Sequence, residues 1–211
     1  MFRDLTHPIE PGMQTLPGDP TVEIEPAATI SEDGFSVQRL ACGSHTGTHI
    51  DAPSHMIPDG DPLGDRPIEA FAFDAQFVDV TPCEPRGSIG PDRLPDVPEN
   101  VDLLVVRTGW ETHFDTDRYL EYPFLTEAAG TRLRDAACGI ATDTISPDPM
   151  AEAGATGFPV HHELLGAGLP IVENLRNLDG LPEQFRLYAF PLPIDSDGAP
   201  VRAVAELSHS R

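Results

Sequence analysis

The chain has 211 residues, of which 35 are acidic and 13 basic, so its formal net charge is −22. Binding to nucleic acid or to an anionic membrane surface requires Lys and Arg to neutralise phosphate, and this charge argues against both partners. The apolar fraction of 39% is enough for a core, and no apolar run approaches the roughly 18 residues of a membrane span. We therefore expect a folded cytoplasmic protein.

Short apolar runs bounded by Gly, Pro or acidic turns predict eight strands, and three further segments predict helices. In chain order the predicted elements are strands at 22–24 and 35–40, a short helix at 67–73, strands at 76–80 and 101–107, a helix at 126–138, a strand at 139–144, a helix at 159–166, and strands at 170–173, 185–192 and 201–207. Strands with interspersed helices are typical of an α/β domain.

A proline-rich segment at residues 81–100 lies between two predicted strands and contains five prolines. It is either a linker between domains or a surface connection within one. The pieces on either side are each too small to bury a good core alone. We therefore predict a single domain over residues 1–211. Reduced, buried thiols are expected at the three widely spaced cysteines, which are Cys42, Cys83 and Cys138.

All 13 basic residues are arginine, and this lysine-free, acidic composition has two interpretations. One is an ordinary solvated acidic surface. The other is adaptation to concentrated salt, in which carboxylates hold water and ions while screening removes their mutual repulsion. Adaptation to heat usually enriches both Lys and Glu, so the absence of lysine argues against it. We predict a halophilic cytoplasm.

Histidine and aspartate are concentrated at residues 44–55, which read SHTGTHIDAPSH. The pattern H-x3-H-x-D-x3-H arises by chance on the order of once in a thousand chains of this composition. Imidazole nitrogens and carboxylate oxygens are ligands of zinc and related divalent ions, and a mixed set is more typical of a catalytic than of a structural site. The alternative, a group of hydrogen-bonded structural histidines, does not explain the rare spacing. The pattern predicts a metal site at His45, His49 and Asp51.

The spacing of these residues requires a bend in the backbone. His49 and Asp51 are two residues apart and project from one face of a strand, but an extended chain leaves His45 about 13 Å from His49. A helix would bring the two histidines together, but Gly47, its β-branched neighbours and Pro53 disfavour a helix. We therefore predict that the backbone bends at Gly47 and that Pro53 prevents the chain from simply continuing as a central strand.

A second group of candidate residues lies downstream, at His161, His162, Glu163 and Glu173. Charged residues on a short helix usually face solvent, so the first three are weak candidates by themselves. Glu173 is more suggestive, because it ends the apolar run that begins at residue 169. An ionised carboxylate beside such a run needs a cation or several hydrogen-bond donors.

These motifs resemble the cyclase-like, metal-dependent hydrolase family that includes the bacterial kynurenine formamidases and isatin hydrolases. The resemblance covers almost the whole chain. Besides the histidine motif it includes PGD at 17–19, RTGW at 107–110, LL at 164–165, ENL at 173–175, PLP at 191–193 and PVRAV at 200–204. It implies a swivelling β/β/α domain with mixed sheets and few helices, assembled as a homodimer or homotetramer.

The resemblance also implies the roles of individual residues. His55 is the implied proton-transfer residue, and Leu164 at the expected offset favours His161 over His162. The bound cofactor is implied to be one or two divalent ions, because the two carboxylates bridge a metal pair in some members. Mixed His and carboxylate sites accept both Zn and Mn, so the sequence does not choose between them. The implied ligands are His45, His49, Asp51, His161 and Glu173.

The implied reaction is hydrolysis of a small-molecule amide or cyclic amide, such as N-formylkynurenine. A divalent ion makes hydroxide from water near neutral pH and polarises the carbonyl, and His55 is free to pass a proton to the departing amine. A serine nucleophile is not supported, because the chain contains no G-x-S-x-G motif. A lyase or dehydratase on the same metal site and a noncatalytic metal-binding protein remain as alternatives.

The residue before the PGD turn bears on substrate preference. In the kynurenine formamidases that the chain resembles it is commonly a Trp that packs on the aromatic ring of the substrate, and here it is Leu16. An aromatic substrate then loses about 0.5 to 1.5 kcal/mol of stacking. We predict slow hydrolysis of N-formylkynurenine and a better substrate among other amides or cyclic amides. Alternatively, Leu16 is a core residue, and Trp110 or Phe114 contacts the ring.

Overall fold

The computed structural model describes residues 1–150 and 157–207. The described chain forms short strands, three α-helices and several single turns of 3-10 helix. In chain order the strands and α-helices are β1 (Phe2–Asp4), β2 (Glu23–Ala28), α1 (Ile30–Asp33), β3 (Val37–Ala41), β4 (His49–Asp51), β5 (Ala72–Asp79), β6 (Ser88–Ile89), β7 (Leu103–Arg107), β8 (Phe124–Leu125), α2 (Glu127–Asp135), β9 (Gly139–Thr142), α3 (Pro159–Gly166), β10 (Ile171–Glu173), β11 (Gln184–Pro191) and β12 (Gly198–Glu206).

Eight strands form one mixed sheet in the order β1-β12-β11-β5-β7-β9-β10-β4. The neighbouring strands β5, β7, β9 and β10 run parallel to one another. The pairs that involve β4, β11 or β12 are antiparallel. The start of β12 also pairs with β4, so seven of the strands close into a ring. The end of the same strand pairs with β1, which joins the two ends of the described chain.

Successive residues of a strand project from opposite faces of the sheet. In the central strands both sets of residues are apolar. On β7, Leu103 and Val105 belong to one hydrophobic cluster, and Leu104 and Val106 belong to another. The second cluster lies under α2 and α3, which contribute residues such as Leu133. Both faces of the central strands are therefore covered, as is usual for parallel strands.

The two longer helices begin at identifiable capping groups. The hydroxyl of Thr126 accepts a hydrogen bond from the backbone N–H of Ala129 at the start of α2. Helix α3 begins at Pro159, whose fixed φ suits the first helical position. The Asp148 carboxylate accepts hydrogen bonds from the backbone N–H groups of Val160 and His161. This cap fixes the start of the helix that carries His161.

The predicted mixed α/β fold with few helices is confirmed, with specific differences. The predicted helix at 67–73 is a 3-10 turn at Ile68–Phe71, after which β5 begins at Ala72. The helix predicted at 126–138 ends at Asp135. The elements β1, α1, β6 and β8 were not predicted, because two to four residues carry too little periodicity to detect.

The proline-rich segment 81–100 packs on the rest of the chain. It contains β6, which pairs with β8, and it buries Ile89 and Leu94 in the cluster under the helices. The three cysteines are free, but only Cys138 is buried, so the expectation of buried thiols is wrong for Cys42 and Cys83. No helix in the described ranges is both long and apolar enough to cross a membrane.

Candidate metal centre and active site

Two adjacent strands bring together three of the predicted ligands. Strands β4 and β10 are antiparallel, and Glu173 lies directly opposite His49. Residues opposite each other in such a pair project from the same face, and Asp51, two residues along β4, shares that face. The imidazole Nε2 of His49 consequently lies 3.3 Å from Asp51 Oδ1 and 3.1 Å from Glu173 Oε2. All three residues are buried.

The predicted bend before β4 brings His45 back to the same place. Gly47 has a φ of +60°, which is in the left-handed region that glycine adopts without strain. His45 Nδ1 lies 2.8 Å from Asp51 Oδ1. A Cβ atom on Gly198, at the start of β12, would lie 2.6 Å from His45 Cε1. Glycine at that position therefore makes room for the His45 ring.

Helix α3 delivers the fifth side chain. Of the two adjacent histidines, His161 is buried and turned to the carboxylates, while His162 is exposed. The Nε2 atom of His161 lies 3.5 Å from Asp51 Oδ2 and 3.3 Å from Glu173 Oε1. All five residues predicted as ligands thus come together, although they derive from three separate parts of the chain.

The donor atoms form two overlapping groups that fit divalent ions. One group is His45, His49 and Asp51, the other is Asp51, His161 and Glu173, and the ligand atoms within each lie within 4.8 Å of one another. His49 Nε2, Asp51 Oδ2 and Glu173 Oε1 are buried without a hydrogen-bond partner. Leaving such groups unpaired is costly unless a cation binds them. The Asp51 carboxylate is common to both groups, so it is placed to bridge two ions.

The other nitrogen of each histidine is held by an oxygen atom outside the cluster. His45 Nε2 lies 3.2 Å from Asp197 Oδ2, His49 Nδ1 lies 2.8 Å from the Gly47 carbonyl, and His161 Nδ1 lies 2.6 Å from Asp148 Oδ2. An N–H that donates outward leaves the lone pair of the inner nitrogen directed at the centre. This arrangement is typical of metal-binding histidines.

Sequence reasoning missed both of these outer carboxylates. The chain contains 20 aspartates, and neither Asp148 nor Asp197 stands in a recognisable spacing to the histidine that it holds. The contacts exist only because α3 and the loop before β12 pack against the β4 edge. Asp197 follows a run of turn-forming residues, which predicts a loop but no role.

The charges of the cluster show its preference for a cation. Burial disfavours a charged imidazole at His49, but the attraction of the Asp51 and Glu173 carboxylates outweighs it and raises the pKa of His49 to about 10. Burial by itself would lower the pKa of His161, but the neighbouring carboxylates outweigh burial and raise it. Burial by itself would raise the pKa of Asp51, but the surrounding histidines hold it well below its usual range. Positive charge is therefore strongly stabilised here.

His55 lies beside the two donor groups and belongs to neither, although with His45 and Asp197 it forms a third group able to hold an ion. It ends a 3-10 turn, Pro53–His55, that begins two residues after the end of β4. Its ring centroid is 3.9 Å from that of His45, and its Nδ1 is 3.5 Å from Asp197 Oδ2. Burial lowers the pKa of His55 below its ordinary value, against the attraction of Asp51. A neutral imidazole at the cavity wall is able to accept and return a proton at neutral pH.

A cavity of about 200 Å³ opens onto these side chains, and Leu16 lines it. A neighbouring cavity of about 270 Å³ shares Leu16, Ser146 and Phe158 with it. The aromatic lining residues are Phe158 and, in the second cavity, Tyr122, neither of which was predicted. Phe158 precedes α3 directly, so its place next to the predicted helix was the available signal.

The alternative placement of the ring contact at Trp110 or Phe114 is not supported. Trp110 is buried against Tyr119, to whose carbonyl its indole N–H donates a hydrogen bond. Phe114 stacks on His7, with ring centroids 3.8 Å apart. Neither belongs to the described residues that line the two cavities.

Comparison with known proteins agrees with this geometry. Residues 3–149 match the model of the Cyclase family. A kynurenine formamidase of Bacillus cereus is 33% identical over 214 residues, and that of Salinibacter ruber is 31% identical over 206 residues; each alignment covers 95% of both chains. Isatin hydrolase A from Labrenzia aggregata, solved bound to benzyl benzoate, is 26% identical with a TM-score of 0.83, and the match covers 97% of this chain and 93% of that one.

A solved structure described as a "predicted metal-dependent hydrolase", from Bacillus stearothermophilus, is 28% identical with a TM-score of 0.77 and covers 97% of both chains. The chain, with its five clustered donor side chains, belongs to the Cyclase family and is a metal-dependent amide hydrolase.

Proposed function

We propose that the substrate is a small arylformamide or cyclic amide and that N-formylkynurenine is hydrolysed, but slowly. The observation that carries this proposal is the position of unpaired, buried ligand atoms next to a cavity with apolar walls, including Leu16 and Phe158. The relatives point the same way, because they are kynurenine formamidases and an isatin hydrolase. An aromatic or cyclic body suits these walls, and its amide carbonyl reaches the ligand cluster.

The proposed cofactor is Zn or Mn, as one or two ions. His45, His49 and Asp51 would hold the first ion, while Asp51, His161 and Glu173 would hold the second. When bound, such an ion supplies activated water near neutral pH and draws electron density from the carbonyl. His55 is the proposed proton-transfer residue: it takes a proton at the cavity wall and returns it to the leaving nitrogen. The Asp197 carboxylate, whose Oδ2 lies 3.5 Å from His55 Nδ1, holds the His55 ring.

Turnover of the metal-loaded protein on formanilide, N-formylkynurenine and isatin tests the proposal. Hydrolysis places one solvent oxygen in the acid product, which heavy-oxygen water detects by mass spectrometry. A product that gains no solvent oxygen would identify a lyase or dehydratase instead. Tight metal binding without turnover of any carbonyl substrate would indicate a binding protein.

Replacing Leu16 by Trp is expected to raise kcat/KM for N-formylkynurenine by up to about tenfold, because the indole adds a face on which the substrate ring stacks. Leu16 lines both cavities, so the larger side chain enters the substrate space. Steady-state kinetics on the variant and the parent measure the effect. Leu192→Trp is a matched control, because Leu192 is exposed outside these cavities. An unchanged kcat/KM in Leu16→Trp would remove this residue from the substrate site.

We propose that the protein is adapted to high salt, as its charge of −22 suggests. Below roughly 1 M salt the thermal midpoint is expected to fall, because the Debye length grows from about 3 Å to 10 Å on tenfold dilution and self-repulsion is no longer screened. Calorimetry across a KCl series measures it. Sucrose at matched osmolality separates screening from preferential exclusion. A midpoint that stays flat or rises on dilution would contradict the adaptation.

We also propose that residues 1–211 form one domain that assembles as a homodimer or homotetramer in the cytoplasm. Pairing of β1 with β12 supports the single domain, and free cysteines suit a reducing compartment. Strand β3 leaves Val37 and Leu40 exposed, which supports burial against another copy. Light scattering in high salt measures the assembly.

A further inference from the structure

The cavity at the ligand cluster contains one ionisable side chain that the chemistry described above does not use. Apart from the four histidines and Glu173, the only ionisable residue among its described lining residues is Asp19. The neighbouring cavity adds Pro17, Tyr122 and Met150 and no charged group. Among the described lining residues, Asp19 therefore sets the charge that a substrate meets away from its reacting amide.

Asp19 is held in place by its backbone and is unpaired at its carboxylate. Its N–H donates to the carbonyl of Leu16 at 3.0 Å, in a turn that brings both residues to the same cavity. Within the described ranges, its carboxylate has neither a hydrogen bond nor an ion pair to another side chain. The negative charge of Asp19 is therefore available to a substrate.

Histidine is the only basic residue type among the described residues that line the two cavities. None of the described residues that line either cavity is an arginine, and the sequence contains no lysine. A carboxylate on the substrate, remote from the amide that reacts, would find no arginine or lysine among these described residues and would face Asp19. An ammonium group at the same place would be attracted to it.

We infer that Asp19 determines substrate charge, so that amides with a remote ammonium group are preferred over neutral ones, and neutral ones over those with a remote carboxylate. The inference rests on the proposed function, because it concerns the substrate of that same site. It narrows the substrate class to compact aryl or cyclic amides that carry no carboxylate without an accompanying cation.

Three formanilides that differ only in the para substituent test the inference: the aminomethyl, the unsubstituted and the carboxyl compound. In the parent enzyme we expect kcat/KM to fall in that order, with at least about a tenfold span between the first and the last. In Asp19→Asn the span is expected to shrink by about fivefold.

The overall charge of the protein favours cations as well, so a matched control is needed. Glu99→Gln removes one exposed negative charge outside both cavities and is expected to leave the order and span unchanged. Equal kcat/KM for the three compounds, preference for the carboxyl compound, or an unchanged span in Asp19→Asn would each overturn the inference.

The corresponding anilines keep the test separate from turnover. Calorimetric titration of the metal-loaded protein compares the aminomethyl aniline with aniline, in the parent and in Asp19→Asn. Tighter binding of the ammonium compound that is lost in the variant supports the inference even if no formanilide is hydrolysed, an outcome that would refute only the proposed function. An affinity ratio that the variant leaves unchanged would overturn the inference.

Discussion

Replacing Asp51 by Asn is expected to abolish metal binding and to lower amide hydrolysis by more than about 100-fold. Loss of a group that only orients a ligand costs about 10- to 100-fold, and Asp51 belongs to both groups of donor atoms. Asparagine keeps the shape but removes the negative charge, and its amide N–H groups would be directed at imidazoles that must remain unprotonated. Metal content by mass spectrometry and kcat/KM measured on the same preparation show the effect.

A matched control separates this effect from damage to the fold. Asp143 is also a fully buried aspartate, but it accepts hydrogen bonds from the backbone N–H and hydroxyl of Thr108 and from the N–H of Gly109. Asp143→Asn is expected to lower the thermal midpoint, because one donor then faces an amide N–H, while metal stoichiometry is kept. Full metal content and normal turnover in Asp51→Asn would contradict the assignment of Asp51 as a ligand.

The local part of the site was predictable from sequence because it depends on short-range geometry. The two-residue spacing of His49 and Asp51 sets a common face, and Gly47 marks the bend that returns His45 to it. In the same way, the length and flanking residues of the segment at 159–166 predicted helix α3 with its observed bounds. These features need no knowledge of what packs against them.

The parts that depend on tertiary packing were not predictable from local pattern. Glu173 faces His49 only through the register of β10 on β4, and that register comes from the whole sheet. Asp197 contacts His45 across 152 residues of chain. One aspartate among 20 carries no signal for such a contact. The apolar run before Glu173 made it a candidate and the resemblance to a family gave it a ligand role, whereas nothing in the sequence indicated Asp197.

The walls of the cavity were also beyond the reach of sequence patterns. Leu16 was identified through its place before the PGD turn, but Phe158 and Tyr122 lie 142 and 106 residues after it in the sequence. They meet Leu16 at the second cavity, where the segments before β8 and before α3 come together. Aromatic residues in such connections are usually attributed to core packing, which hides their position in a substrate cavity.

Replacing His55 by Asn is expected to lower kcat by about 10²-fold or more while metal content stays intact. The amide of Asn occupies the position of imidazole Nδ1, so it retains the approach to Asp197, but it does not carry a proton at neutral pH. His55 lines the cavity and its ring contacts that of His45, which places it next to the reacting group without making it part of the two principal donor groups. Rapid-quench kinetics together with metal analysis measure both quantities.

His162→Asn is the matched control for this change, because His162 adjoins a proposed ligand but is exposed. It is expected to keep parent values of kcat and metal content. The competing role for His55 is that of a metal ligand, since His45, His55 and Asp197 also form a group able to hold an ion. In that case His55→Asn would lose metal in parallel with activity, and added metal would restore turnover. Loss of turnover that excess metal does not restore is therefore the result that assigns proton transfer to His55.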